Sequence, residues 1–123
     1  MSWIPFLIVL LLAIGYVYMK RAGQVSAKDA YEYFKKGAMV IDVRSPDEFN
    51  SGHLLQAYNM PLDRVDILVP GAVKDKNKYL LLHCASGIRS RMAQKKLEDI
   101  GYKNVFNLGS YERAEKIVKG SQK

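Results

Sequence analysis

Apolar and polar residues along this chain fall into two regimes. Residues 2–19, SWIPFLIVLLLAIGYVYM, form one apolar block with no charged side chain. Beyond it, short apolar runs of strand type alternate with stretches of helical period. In VSAKDAYEYFKKG (25–37), Ser26 stands as an N-cap with Asp29 three residues on, Ala30, Tyr33 and Phe34 recur at helical spacing, and Gly37 supplies the stop. AMVIDV (38–43) is apolar and β-branched, which predicts a buried strand. SPDEFNSGH (45–53) predicts a compact helix with Ser45 as cap, Pro46 at the first position, Glu48 at the third and Gly52 at the stop. QAYNMP (56–61) supplies a short strand ended by Pro61. LDRVDILV (62–69) puts Leu62, Val65 and Leu68 on one side, and Pro70 and Gly71 are expected to break it.

YLLLHC (79–84) is apolar without alternation, the pattern of a parallel strand covered on both faces. SRMAQKKLEDIGY (90–102) predicts an amphipathic helix with Ala93, Leu97 and Ile100 as its stripe and Gly101 as its stop. NVFNL (104–108) predicts a last strand, and SYERAEKIVK (110–119) a last helix capped by Ser110. Strands and helices alternate, so the expected fold is α/β, a small parallel sheet flanked by helices.

The first block is expected to stand outside that fold. As a helix, residues 2–19 reach about 27 Å, enough for a thin bilayer core. Trp3 near one end, with Tyr16 and Tyr18 near the other, suits an interfacial aromatic belt. A cleaved signal peptide would carry basic residues before the run and a small-x-small site after it. Nothing basic precedes the run here, and Ala13 and Gly15 lie inside it. The pattern therefore predicts a transmembrane anchor over 1–21, crossing through 3–19, and a domain over 22–123. Lys20, Arg21 and Lys28 follow the run, which orients the domain toward the cytoplasm.

Length and composition narrow the chemistry. The chain has 123 residues, enough for one small domain, and a formal net charge of +7. Such a surplus is compatible with nucleic acid, an anionic membrane or small anionic substrates. No nucleic-acid-binding motif accompanies it, so nucleic acid is not an expected partner. Lys74, Lys76, Lys78, Lys95 and Lys96 read as a solvated face that could also meet anionic headgroups. One cysteine and two histidines exclude a usual four-ligand zinc site and an internal disulfide. No metal or other cofactor is implied, and oligomeric state is not legible.

That single cysteine, Cys84, ends the apolar run LLLHC, and a short loop and a helix start follow. Ligands of open α/β sheets sit at this strand edge. Gly87 permits a tight curl, residues 85–90 can turn their N–H groups toward the thiol, and the next helix adds its positive end. Arg89 and Arg91 are fixed cations nearby. Each feature favours a thiolate, and the same donors suit an anionic substrate. The competing reading is an inert buried cysteine. The order strand, cysteine, glycine loop, arginine, helix speaks against it.

The chain also resembles the rhodanese-like (sulfurtransferase) domain family over residues 25–120. VIDVRSPDEFNSGHLLQAYNMPL (40–62) is similar to the family's first signature, CASGIRS (84–90) to its active-site loop, and LEDIGYKNVFNLGS (97–110) to its closing helix and strand. The resemblance implies that Cys84 is the nucleophile that takes a sulfane sulfur and becomes a persulfide. It further implies that backbone amides of Ala85, Ser86, Gly87, Ile88, Arg89 and Ser90 line the substrate pocket, with Arg89 attracting the donor. The implied partners are a small anionic sulfur donor, such as thiosulfate, and a thiol or cyanide acceptor. Many members carry Gly-Gly and then Trp after the last strand; this chain has Gly109, Ser110 and Tyr111.

Two other functions compete. A non-catalytic, membrane-tethered interaction or persulfide-carrier module would use the same fold. Cysteine phosphatases place five residues between Cys and Arg, whereas Ala85, Ser86, Gly87 and Ile88 make four here, a ring that crowds a tetrahedral phosphate. Asp42 and Arg44 flank a strand end and are expected to form a hydrogen-bonded pair that supports the loop. His53 is expected to bond nearby backbone. His83 should face away from Cys84, which argues against a Cys–His dyad.

Overall fold

The computed structural model describes residues 2–21 and 23–122. Its elements run α1 (Ile4–Arg21), α2 (Ala27–Lys35), β1 (Met39–Asp42), α3 (Pro46–Asn50), β2 (Ala57–Asn59), a 3-10 turn (Leu62–Arg64), α4 (Val65–Ala72), β3 (Leu80–His83), α5 (Ile88–Asp99), β4 (Val105–Gly109) and α6 (Tyr111–Ser121). The four strands pair in the order β2-β1-β3-β4, all parallel. This is the expected small parallel sheet flanked by helices.

The unbroken apolar runs of β1 and β3 are explained by helices on both faces. Ile41, Leu80 and Leu82 pack with Val65 and Val69 of α4 and Ala93 and Leu97 of α5. Val40 and Leu81 point the other way, onto Ala30 of α2 and Ala114, Ile117 and Val118 of α6. Leu80, Leu81 and Leu82 are fully buried, so a charge at any of them would break one layer or the other.

Helix starts follow their caps. Ser26 Oγ accepts from Asp29 N at 3.1 Å, and Ser110 Oγ from Arg113 N at 3.1 Å. At α3 the capping box closes from both sides, with Glu48 N donating to Ser45 Oγ at 3.2 Å and Ser45 N donating to Glu48 Oε1 at 3.2 Å. The last helix seats normally despite Tyr111: its ring lies edge-on to His83 and faces the Arg44 guanidinium, 4.7 Å from centroid to Cζ.

Two sequence expectations need correction, and a third is without support. Pro70 does not end its helix; α4 carries it inside Val65–Ala72. Only the final turn lies beyond it, so the missing N–H costs one bond near the natural terminus. Ile100 is not in the α5 stripe, because the helix stops at Asp99 and Ile100 turns to solvent. The transmembrane anchor is not supported either: among the described residues, no helix is long and apolar enough to cross a membrane. The apolar stretch of α1 stops at Met19, and the helix's last two residues are Lys20 and Arg21. A bilayer core of about 30 Å asks for about 20 apolar residues. Along α1 the large apolar side chains, Phe6, Leu11, Leu12 and Tyr18 among them, stand exposed.

Candidate active site

The carboxyl ends of β1, β3 and β4 meet at one edge of the sheet, and Cys84 lies there. A register shift between β3 and β4 sets Gly109 opposite His83. The Gly109 carbonyl then accepts from Cys84 N at 3.2 Å, which fixes the residue at the strand exit. The thiol is fully buried against the α4–α5 core layer.

From Cys84 the chain curls back over the sulfur. Gly87 takes φ +100° and ψ −9° at the N-cap of α5, and no side chain caps that helix. Gly87 N donates to Cys84 Sγ at 3.0 Å. Its left-handed conformation is one that an L side chain resists, and a Cβ there would lie 3.2 Å from Gly109 Cα. The Gly87 and Ser90 N–H groups at the helix start thus turn to sulfur instead of to a cap residue.

A buried polar tie holds the curl. Asn107 Nδ2 donates to Gly87 O at 3.0 Å, and Asn107 Oδ1 accepts from Gly109 N at 2.8 Å and from Ser90 Oγ at 2.6 Å. Ser90 Oγ is also 3.5 Å from Cys84 Sγ. Its single proton sits in the shorter bond, to Asn107, unless a thiolate competes for it.

Burial alone would push the Cys84 thiol up. The Ser90 hydroxyl and the backbone N–H groups of Ser90, Gly87 and Ser86 outweigh it and hold the thiol below its ordinary value. Sequence reasoning placed Cys84, Ser86, Gly87 and Ser90 together, and the structure does bring them together. Ala85 and Ile88 complete the same turn, with Ile88 about half exposed. Asn107 was missed. The available signal was a polar residue inside the apolar strand VFNLG, between buried Val105 and Leu108.

Arg89 stands at the end of the loop with a partner that the sequence pattern did not indicate. It makes a bidentate pair with Glu48, Nη1 to Oε1 at 2.6 Å and Nη2 to Oε2 at 2.9 Å. Arg89 holds the Glu48 carboxyl down at about 2, helped by the Ser45 amide and hydroxyl and opposed by burial. Glu48 is thus both the capping-box residue of α3 and the anchor of the loop's arginine. The spacing of the box was legible, and the pairing with a residue 41 positions away was not.

Asp42 and Arg44 form the expected pair, Arg44 Nε to Asp42 Oδ1 at 3.0 Å and Nη2 to Oδ2 at 2.8 Å. Arg44 Nη2 also donates to Gly52 O at 2.8 Å. The pair therefore braces the turn after α3 and the Tyr111 ring; its hydrogen bonds do not reach residues 85–90. His83 is fully buried, with Nδ1 3.3 Å from Cys84 O and Nε2 3.7 Å from Asp42 Oδ2. Desolvation lowers its pKa more than Asp42 raises it, so the ring is neutral and the Asp42 contact is no ion pair. No hydrogen bond joins its ring to the thiol, so no Cys–His dyad forms. His53 Nδ1 meets Phe49 O at 2.8 Å, and the ring stacks on Phe49. Among the described residues, no cluster of acidic, His or Cys side chains could hold a metal ion.

A thiol under backbone amides at a parallel-sheet edge is the arrangement the loop motif implied, and the family model for the rhodanese-like domain matches residues 26–116. The chain belongs to the rhodanese-like domain family. It is 38% identical over 69 residues to the thiosulfate sulfurtransferase PspE of Escherichia coli, covering 56% of this chain and 66% of that protein. It is 33% identical over 91 residues to the thiosulfate sulfurtransferase GlpE of Coxiella burnetii, covering 72% of this chain and 83% of that one. A solved structure described as a rhodanese with anions from E. coli superposes with a TM-score of 0.60 at 34% identity, over 62% of this chain and 89% of the other. These relatives make the rhodanese-like fold, and membership of a sulfurtransferase family, properties of this chain. The match excludes α1.

Proposed function

We propose that this rhodanese-like domain is a thiosulfate sulfurtransferase working through Cys84. The observation that carries the reading is the Gly87 N–H, 3.0 Å from a thiol whose pKa its surroundings lower. In the first half-reaction the Cys84 thiolate attacks the outer sulfur of thiosulfate. The S–S bond of the donor breaks, its electron pair leaves with sulfite, and Cys84 holds a persulfide. The terminal sulfur of that persulfide is anionic, and the amides of Ala85 to Ser90 are the groups proposed to stabilise it. A thiolate or cyanide then attacks that sulfur and returns the electron pair to Cys84. The reaction needs no metal or redox cofactor.

Arg89 is proposed to draw the anionic donor to the loop, and Glu48 to hold its guanidinium in place until the donor arrives. Steady-state formation of sulfite and thiocyanate from thiosulfate and cyanide tests the activity. Wild type should turn over, and Cys84→Ala should not. A second reading, a persulfide carrier that does not turn over, draws on the complete burial of Cys84 and the closed Arg89–Glu48 pair. Loading without steady turnover would select it. The four-residue spacing from Cys84 to Arg89 disfavours a phosphatase.

We also propose that α1 holds the domain at a membrane, on the cytoplasmic side. Support comes from its exposed apolar side chains, including Trp3 and Phe6, and from Lys20 and Arg21 following the run, whose charge suits the anionic headgroups of a cytoplasmic leaflet. This attachment does not require α1 to cross the bilayer.

A further inference from the structure

Beside the Cys84 loop is a cavity that the sulfur-transfer reading does not use. Its volume is about 280 Å³, and it is lined by Tyr16 and Met19 of α1 and by Gly87, Ile88, Arg91 and Met92. Gly87 belongs to both sites: it walls this cavity, and its N–H lies 3.0 Å from Cys84 Sγ. Ile88 and Met92 are each about half exposed, which leaves apolar surface at the edge of a reactive centre. Its one charged lining residue is Arg91, whose Nη1 donates to Met19 O at 3.2 Å and so ties α1 to α5.

An anionic inorganic donor has no use for such walls. Thiosulfate is small, doubly charged and strongly hydrated, and burying it against Met, Ile and Tyr would cost desolvation without return. The other substrate, the sulfur acceptor, has to present a thiolate to the same sulfur and can carry a body of any polarity. The geometry points to an amphiphilic thiol as that acceptor, with an apolar chain lying between α1 and α5 and an anionic head at Arg91. This assignment rests on the sulfurtransferase reading of Cys84. The volume suits a small molecule and not a protein segment, and the guanidinium sets the sign of the head.

The chemistry balances without a further reactant. The acceptor thiol gives its proton to solvent. Its thiolate attacks the outer sulfur of the Cys84 persulfide, the Cys84 S–S bond breaks, and the electron pair returns to Cys84 as thiolate. The acceptor leaves as a persulfide, and no net oxidation occurs.

The test uses the full chain in one fixed detergent and separates loading from discharge. Loading is read by intact mass after thiosulfate, as a gain of about 32 Da on Cys84. Failure to load sinks the sulfurtransferase reading itself. The loaded protein is then discharged by mercaptoethanesulfonate, by mercaptohexanesulfonate and by the hexyl thiol carrying an ammonium head. Each fully buried methylene is worth a factor of about four, so a half-buried chain should make the long sulfonate roughly tenfold faster than the short one. The ammonium thiol should gain less. Met92→Ser and Tyr16→Ser should each shrink the long sulfonate's advantage, which also controls for partition into detergent. Equal discharge by the short and long sulfonates, or an advantage that both variants keep, overturns the cavity as an acceptor site. Equal gains for the two head charges overturn the anionic assignment.

Discussion

Replacing Gly87 with alanine should uncouple the thiol from its amides at a tolerable cost in stability. At φ +100° an L residue is strained by about 1–2 kcal/mol. The new Cβ would also lie 3.2 Å from Gly109 Cα and 3.4 Å from Gly109 C, backbone atoms that cannot swing aside. The Gln24 side chain, 3.0 Å from the same point, can move. The two effects together put the loss near 2–3 kcal/mol, within the range for strained backbone sites and below the 5–15 kcal/mol typical of a domain. The cheapest relief is a rotation of the loop that takes the Gly87 N–H off Sγ. A hydrogen bond to a charged group is worth about 1.5–3 kcal/mol, so losing it should move the titration of the thiol clearly upward. The pH dependence of alkylation by iodoacetamide reads that shift, and urea unfolding reads the stability. Wild type should show its midpoint below 9.0, the ordinary value. A variant that loses stability while keeping the wild-type midpoint would refute the role given to this N–H. A variant unchanged in both would refute the loop conformation.

Further outcomes follow from the same contacts. Ser90→Ala should raise the thiol less than Gly87→Ala does, because its hydroxyl is 3.5 Å from sulfur and its 2.6 Å bond is to Asn107; alkylation profiles measured side by side decide. Asn107→Ala strands the Gly109 N–H, while the Gly87 carbonyl and the Ser90 hydroxyl keep each other at 3.1 Å, and should cost about 1–3 kcal/mol in urea unfolding. Arg89→Ala should weaken thiosulfate use more than reaction with neutral iodoacetamide; an equal fall in both would reduce Arg89 to a structural role. Glu48→Gln should lower the KM for thiosulfate by freeing the Arg89 charge. Its stability penalty should be full above pH 4.5 and shrink as pH falls toward 2, since a depressed carboxylate stabilises the fold only while ionised; urea unfolding at several pH values reads it. Cytoplasmic placement is checked with a membrane-impermeant thiol reagent on intact cells, where Cys84 should be protected until lysis.

What the sequence made legible is what local pattern controls. The runs MVID and LLLH are strands because both faces are covered, and apolar residues without alternation carry that information. The caps at Ser26, Ser45 and Ser110 act over three residues and were readable for that reason. The start of α5 was not: the pattern placed it at Ser90, yet the helix begins at Ile88. Its N-cap is a left-handed glycine with no capping side chain, because the first amides serve the sulfur. The usual signal is missing where the site needs those groups. The Asn107 tie and the Glu48–Arg89 pair join residues 17 to 41 positions apart, and no periodicity encodes such distances. The anchor expectation has no support in the fold: among the described residues no helix is long and apolar enough to cross a membrane.

The central claim is that Cys84 accepts sulfur from thiosulfate as a stabilised persulfide. Intact-mass measurement of the full chain after one equivalent of thiosulfate addresses it most directly. The account expects a gain of about 32 Da on the wild-type chain, mapped to Cys84, reversed by cyanide and absent in Cys84→Ala. An unmodified wild-type mass, with Cys84 still open to alkylation, would contradict it.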